Sequence, residues 1–256
     1  MAYWLERFDV FLLVLLRVGA LMVVAPIFGH RHWLARAKVG LALMVAVVLF
    51  PMVADQPLDL PTGIFPYAFL MVREVLMGVV LGFTVLLLFV AIQFAGQLAG
   101  LQMGFGIVNV IDPQSSNQVS IIGQFLNILA ILLLLTLDGH HMILSGLVTS
   151  FETIPLGGVS FQDGLMFKLM DLTAQVFIIA VKISAPILMA LFLVTAAMGV
   201  LARTVPQMNV FLIGFPLQIG VGLAALAIAL PLFSVFFERL LVHTNRNLVA
   251  LLDFLH

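Results

Sequence analysis

The stretch GFGIVNVIDPQSSNQ, residues 104–118, interrupts a chain that is otherwise mostly hydrocarbon. Before it runs VLMGVVLGFTVLLLFVAI (75–92) and after it ILAILLLLTL (128–137). Gly104 and Gly106 relax the backbone, and Pro113 biases Asp112 away from helix, so these three residues are the expected hinges of a loop. The loop holds five bulky apolar residues, Phe105, Ile107, Val108, Val110 and Ile111.

The flanks carry a second pattern. Gln93, Gln97, Gly100 and Gly104 are spaced 4, 3 and 4 apart, and Asn117, Ser120, Gln124 and Asn127 are spaced 3, 4 and 3 apart. Each set falls on one helical face. Amides are costly in lipid, so both faces are expected to look at protein or water. The ladder Gly96, Gly100, Gly104, with Gly78 and Gly82, permits helices to approach closely. A non-helical apolar loop between two such helices fits a hydrophobic constriction that gates a water-accessible path by sterics and dewetting. The alternative is a re-entrant loop that only packs against its neighbours.

Composition sets the environment. Of 256 residues, 63% are hydrophobic and 9% charged, and mean hydropathy is +1.24. Soluble domains carry about 25% charge, and a chain of this size cannot hide so much apolar surface from water. An all-α membrane fold is therefore expected. A net charge of −1 carries no nucleic-acid footprint. Cysteine is absent, which removes disulfides and thiolate chemistry. MAYWLERFDV lacks a basic leader, so residues 10–28 read as a retained helix rather than a signal peptide.

Six apolar segments are candidates for spans: 10–28, 39–54, 67–92, 121–137, 176–202 and 210–237. A span needs about 20 residues. The second segment is short and ends at Pro51; the sixth is interrupted by Pro216 and closes near Pro231, where a kink or break is expected. Short and broken helices need protein partners or a water-filled cavity for their freed backbone groups, which points to a subunit of a larger assembly; the alternative is tilted and kinked spans in an ordinary monomeric bundle. The basic residues do not fix an orientation, because Arg31, Arg36 and Lys38 are opposed by Arg7, Arg239 and Arg246 near the other ends. Residues 55–66 read as an extended Pro-rich linker, and 138–175 as a mixed segment with room for a shorter helix. In 238–256, Leu248, Leu251, Leu252 and Leu255 share one face, the mark of an amphipathic docking helix.

Enzyme chemistry finds little support. Asp138, His140 and His141 of DGHH are the most metal-like cluster, but no further ligand follows at a familiar spacing, and a helix-end turn is the expected role. No nucleophile elbow and no phosphate loop occur. Arg17 and Lys182 lie inside apolar segments, where an ion is functional, paired between helices, or snorkelling to the membrane surface. Arg73 and Glu74 read as the end of an interface, leaving no carboxylate well inside an apolar segment for a coupled transporter. LARTVPQMNVFLIGFP (201–216) reads as an exposed polar hairpin tip, with Pro206 and Asn209 turning the chain and Arg203 at its edge.

GFGIVNVIDPQ, IGQFLNILAILLLLTLDGHH with Ser150 and Phe151 after it, and RTVPQMNVFLIGFPLQI occur in that order. Together they resemble the R/T-subunit family of type III secretion export gates, over nearly the whole chain. VPQMN is the most specific element, and DGHH favours the flagellar (FliR) branch over the injectisome branch. The resemblance implies a non-enzymatic subunit without cofactor or metal, in the bacterial inner membrane at the flagellar basal body. One such subunit would join several P and Q subunits in a conical helical pore that conducts unfolded flagellar substrates, with the B subunit and the A subunit of the apparatus as further partners and lipid around it.

It further implies a P-subunit-like region over 1–170 and a Q-subunit-like hairpin with a C-terminal amphipathic helix over 171–256. The loop at about 104–120 would be the plug, with Phe105, Ile107, Val108, Val110 and Ile111 as its sealing residues. Arg203, Pro206, Gln207 and Asn209 would lie at the entrance, near the B subunit. The competing readings are a secondary transporter or small-solute channel, and an intramembrane metalloenzyme built on His140 and His141.

Overall fold

A computed structural model describes residues 7–29, 34–54, 63–106, 120–162, 164–207 and 209–255. Among them the chain is all-α, without strands. The helices are α1 (Phe8–Val24), α2 (Pro26–Gly29), α3 (Ala35–Val53), α4 (Ile64–Gln102), α5 (Ile121–Thr136), α6 (Gly139–Thr153), α7 (Gly164–Thr204) and α8 (Val210–Leu252). Four of them, α3, α4, α7 and α8, are long and apolar enough to cross a membrane, and α5 with α6 forms a bent pair that passes the same test. The fold class expected from composition is thus observed.

The local chemistry explains most boundaries. α1 stops at Ala25, which is extended at φ −65° and ψ 125° because Pro26 follows it. The expected helix over 10–28 is therefore split in two. α4 closes in a Schellman turn, in which Phe105 N–H donates to Gly100 C=O at 3.0 Å and Gly104 N–H to Leu101 C=O at 3.1 Å. Gly104 holds the left-handed position at φ +91°, which glycine adopts without strain. α5 opens on Ser120, whose Oγ accepts from Gly123 N–H at 3.3 Å. Asp138, left-handed at φ 54°, separates α5 from α6.

Several long helices depart from expectation. α4 has 39 residues, about 58 Å at 1.5 Å per residue, and outruns the segment 67–92 at both ends. α8 is continuous over 43 residues with Pro216 and Pro231 inside it, so neither proline breaks it. In an apolar setting the chain has no better alternative to the helix, and neighbouring helices, hydroxyl side chains or local adjustments can re-satisfy the carbonyls a proline frees. The tail expected as a separate docking helix is the last part of α8, but its leucine face is real: Leu248, Leu251, Leu252 and Leu255 are all buried.

The described residues form two compact units. The first draws on Met1–Leu88, Asp138–Leu172 and Leu241–His256; the second on Phe89–Leu137 and Thr173–Leu240. In the first, α1 packs along α3, with Phe11 edge-on to Phe50 at 5.9 Å. Gly78 and Gly82 bring α4 against α1 so closely that a Cβ on Gly78 would collide with the Arg17 carbonyl oxygen. Ser160 and Gln162 N–H groups donate to the Leu255 and Phe254 carbonyls at 3.0 and 3.2 Å, tying the segment after α6 to the end of the chain.

In the second unit, the end of α4 meets the start of α5 at Gly96 and Gly123, where a Cβ on Gly96 would collide with Gly123 backbone. The glycine ladder therefore does what its spacing predicts. α7 and α8 form a hairpin in which Gln218 Nε2 reaches Thr195 Oγ1 at 3.5 Å. Burial differs sharply between helices: 61% of the most apolar window of α4 is buried, but only 28% in α7 and 17% in α8. Phe177, Phe192, Leu193, Leu212, Ile228 and Leu232 stand exposed on those two helices. Uncovered apolar surface of this extent belongs to lipid or to other apolar subunits.

Candidate functional site

Of the expected loop, Gly104, Phe105 and Gly106 are described and half-buried, while Ile107, Val108, Val110, Ile111, Pro113 and Asn117 lie outside the described residues. The helix ends that flank the loop adjoin each other. Ser120 Oγ donates to Gly96 C=O at 3.2 Å while accepting from Gly123 N–H, so one hydroxyl both caps α5 and clips it to α4. Gly100 makes room for this hydroxyl, since a Cβ there would stand 2.5 Å from Ser120 Oγ. The ring of Phe215 on α8 lies 3.0 Å from where a Cβ on Gly104 would stand, closing off the same corner.

The polar faces are divided. Gln93 and Gln97 on α4 and Asn127 on α5 are half-buried, Gln124 is exposed, and Ser120 is committed to the cap. Among the described residues, the side chains of Gln93, Gln97, Gln124 and Asn127 make no hydrogen bond to the protein. Such amides suit a wet or partner-covered surface and not lipid.

The hairpin tip is open. Arg203, Pro206, Gln207 and Asn209 are exposed, with Arg203 in the last turn of α7, where a cation opposes the helix dipole. Asn209 caps α8 through Leu212 N–H to Asn209 Oδ1 at 3.3 Å.

A buried charge node lies in the first unit. Arg17 Nε donates to Glu74 Oε2 at 2.6 Å, with both side chains wholly buried. Arg17 Nη1 donates to the Ser150 and Ile154 carbonyls at 2.9 and 3.2 Å, and its guanidinium stacks 4.3 Å from the Phe151 ring. Glu74 Oε1 accepts from Gly157 N–H at 2.9 Å. Arg17 is thus paired, and Glu74 is not the edge of an interface but the buried counter-ion. The sequence signal was available: a lone arginine in an apolar helix demands a carboxylate, and Glu74 lies ten residues inside α4. Lys182 differs, being exposed on α7.

Asp138, His140 and His141 bring three potential ligand atoms within 4.8 Å of one another. Asp138 and His141 approach at 3.5 Å, and the two imidazoles stack at 4.1 Å. The Asp138 and His141 side chains are more than two-thirds exposed. Their closeness follows from the left-handed turn that starts α6, in which His141 N–H donates to Asp138 C=O at 2.9 Å.

Comparison with known proteins adds an independent line. The family described as bacterial export proteins, family 1, matches residues 8–244. The chain is 38% identical over 253 residues to the flagellar biosynthetic protein FliR of Bacillus subtilis (strain 168), covering 96% of this chain and 97% of that one. It is 35% identical over 237 residues to the FliR protein of Escherichia coli (strain K12), covering 93% and 90%. To that of Pectobacterium carotovorum it is 37% identical over 226 residues, covering 88% and 85%.

Proposed function

The chain belongs to family 1 of the bacterial export proteins, and from that membership we propose that it is a core subunit of the flagellar type III protein export gate. In this reading it helps form the pore for unfolded flagellar proteins and plugs it at rest. The observation that carries the reading is the apolar surface left uncovered on α7 and α8. Smaller apolar subunits, the P and Q proteins in several copies, would cover it in the inner membrane, with the B and A subunits as further partners.

The role is structural and gating, not enzymatic. The segment after the Schellman turn at Gly104 is the plug, sealed by Phe105, Ile107, Val108, Val110 and Ile111 and hinged at Gly104, Gly106 and Pro113. Two supports favour it: the adjoining helix ends give the segment a fixed base, and the amides of Gln93, Gln97, Gln124 and Asn127 suit a wet lumen or a partner face. Residues 1–170 are the P-like part and 171–256 the Q-like part, a division by ancestry that need not follow the compact units. The tip at Arg203, Pro206, Gln207 and Asn209 offers a polar contact to the B subunit.

Native mass spectrometry of membranes in which the chain is co-expressed with its neighbouring membrane-protein genes tests this. One copy of the chain bound to multiple smaller helical subunits is expected. A monomer or homo-oligomer indifferent to those neighbours would return the function to a transporter or small-solute channel.

A further inference from the structure

The second unit contains a groove of about 450 Å³ between α5, α7 and α8. Ile183, Pro186 and Ile187 of α7 and Leu226, Leu230 and Phe233 of α8 give it apolar walls. Two cations line it as well, Lys182 and Arg239. Among the described residues neither is hydrogen-bonded or ion-paired, in contrast to Arg17, whose charge is met by Glu74. Glu238, the neighbour of Arg239, does not line the groove.

The position of these cations along the helices is informative. Residues 183–202, between Lys182 and Arg203, carry no charge, and neither do residues 210–237, before Glu238 and Arg239. Twenty helical residues rise about 30 Å, the thickness of a bilayer's hydrocarbon core. Lys182 and Arg239 therefore stand at one boundary of the uncharged band, and the apolar walls begin immediately inside it. The hairpin register fixed by Gln218 and Thr195 sets Lys182 about level with Pro231, with Arg239 some eight residues, about 12 Å, further from the tip. Helical side chains lean toward their own N-terminus. In this antiparallel pair, Lys182 leans away from the tip and Arg239 toward it, so the two heads converge.

We propose that this groove binds an anionic phospholipid, with its acyl chains along the apolar walls and its phosphate between Lys182 and Arg239. A phosphate supplies the missing counter-charge through charge-assisted hydrogen bonds to both groups. A zwitterionic lipid offers the same tails, but its own cation opposes the pair. The site is independent of the plug and stands whether or not the chain gates a pore.

The test uses the full chain in mild detergent, titrated with dioleoyl phosphatidylglycerol or dioleoyl phosphatidylcholine and read by native mass spectrometry. The wild type is expected to retain phosphatidylglycerol preferentially, and K182Q/R239Q to lose that preference by about tenfold or more. K182R, which keeps the charge, should keep it. A229W, which fills the groove wall and leaves both cations in place, should reduce binding of both lipids. Equal binding of the two lipids by the wild type, or an unchanged preference in K182Q/R239Q, overturns the proposal. So does a photocrosslinker at Ile183 that, in native membranes, captures an acidic segment of a neighbouring subunit and no lipid.

Discussion

Arg17 and Glu74, 57 positions apart, meet at 2.6 Å with no exposed surface on either side chain. The pair joins α1 to α4, and through Ser150, Ile154 and Gly157 it also holds α6 and the turn after it. Desolvating two ions is costly, and the pair is tolerable because backbone carbonyls and an N–H group satisfy most of the remaining valences. Removing one partner strands the other: R17A or E74A is expected to cost about 3–5 kcal/mol. The apolar double variant R17M/E74L should recover most of that loss. Thermal unfolding in detergent checks both, and a double variant no better than the singles would show the pair to be irreplaceable.

Close approach at glycine predicts a sharp contrast. In G96A the new Cβ meets Gly123 backbone, which cannot rotate away, so a loss of about 1–3 kcal/mol is expected. G199A adds its methyl where nothing lies within 4 Å, and in a helix it should gain about 0.5–1 kcal/mol. Unfolding midpoints of the two variants in the same detergent should move in opposite directions.

The plug makes a prediction about leakage. Deleting residues 107–111 should leave the complex assembled and make the membrane permeable to small ions, because the sealing side chains are gone. Ion-sensitive dye measurements on cells with verified assembly provide the readout. Background leakage with an intact complex would remove the plug assignment.

The turn at Asp138 predicts a gain from a smaller residue. Asp138 adopts φ 54°, where a side chain costs about 1 kcal/mol that glycine avoids. D138G should therefore be as stable as the wild type or more so, and D138V clearly less. H140A and H141A should leave export, read by secretion of flagellar proteins, near normal. Loss of export in both with normal assembly would revive the metal reading of Asp138, His140 and His141.

What was legible in the sequence was what depends on local spacing. The glycine ladder, the leucine face of 248–255, the polar tip and the stop at Gly104 each follow from a repeat or a backbone requirement within a few residues. What was not legible depended on partners far along the chain. Glu74 looked like an interface end because its counter-ion lies 57 positions away. A break at Pro216 or Pro231 does not occur, because in an apolar setting leaving the helix would free still more backbone groups than the proline does. For Ile107, Val108, Val110, Ile111, Pro113 and Asn117 the expectation made from sequence still stands as the proposal, since they lie outside the described residues.

The two compact units are interleaved: the chain passes between them after Leu88, Leu137, Leu172 and Leu240, three of these passages within continuous helices. The unit begun by α1 is completed only when Leu248, Leu251 and Leu255 arrive. The second unit has its whole sequence once Leu240 is made, whereas the first, begun earlier, still lacks Leu241–His256. Until residues 241–255 emerge, the earliest helices lack part of their core. Truncating those residues should act as an assembly defect of the whole subunit rather than the trimming of a tail.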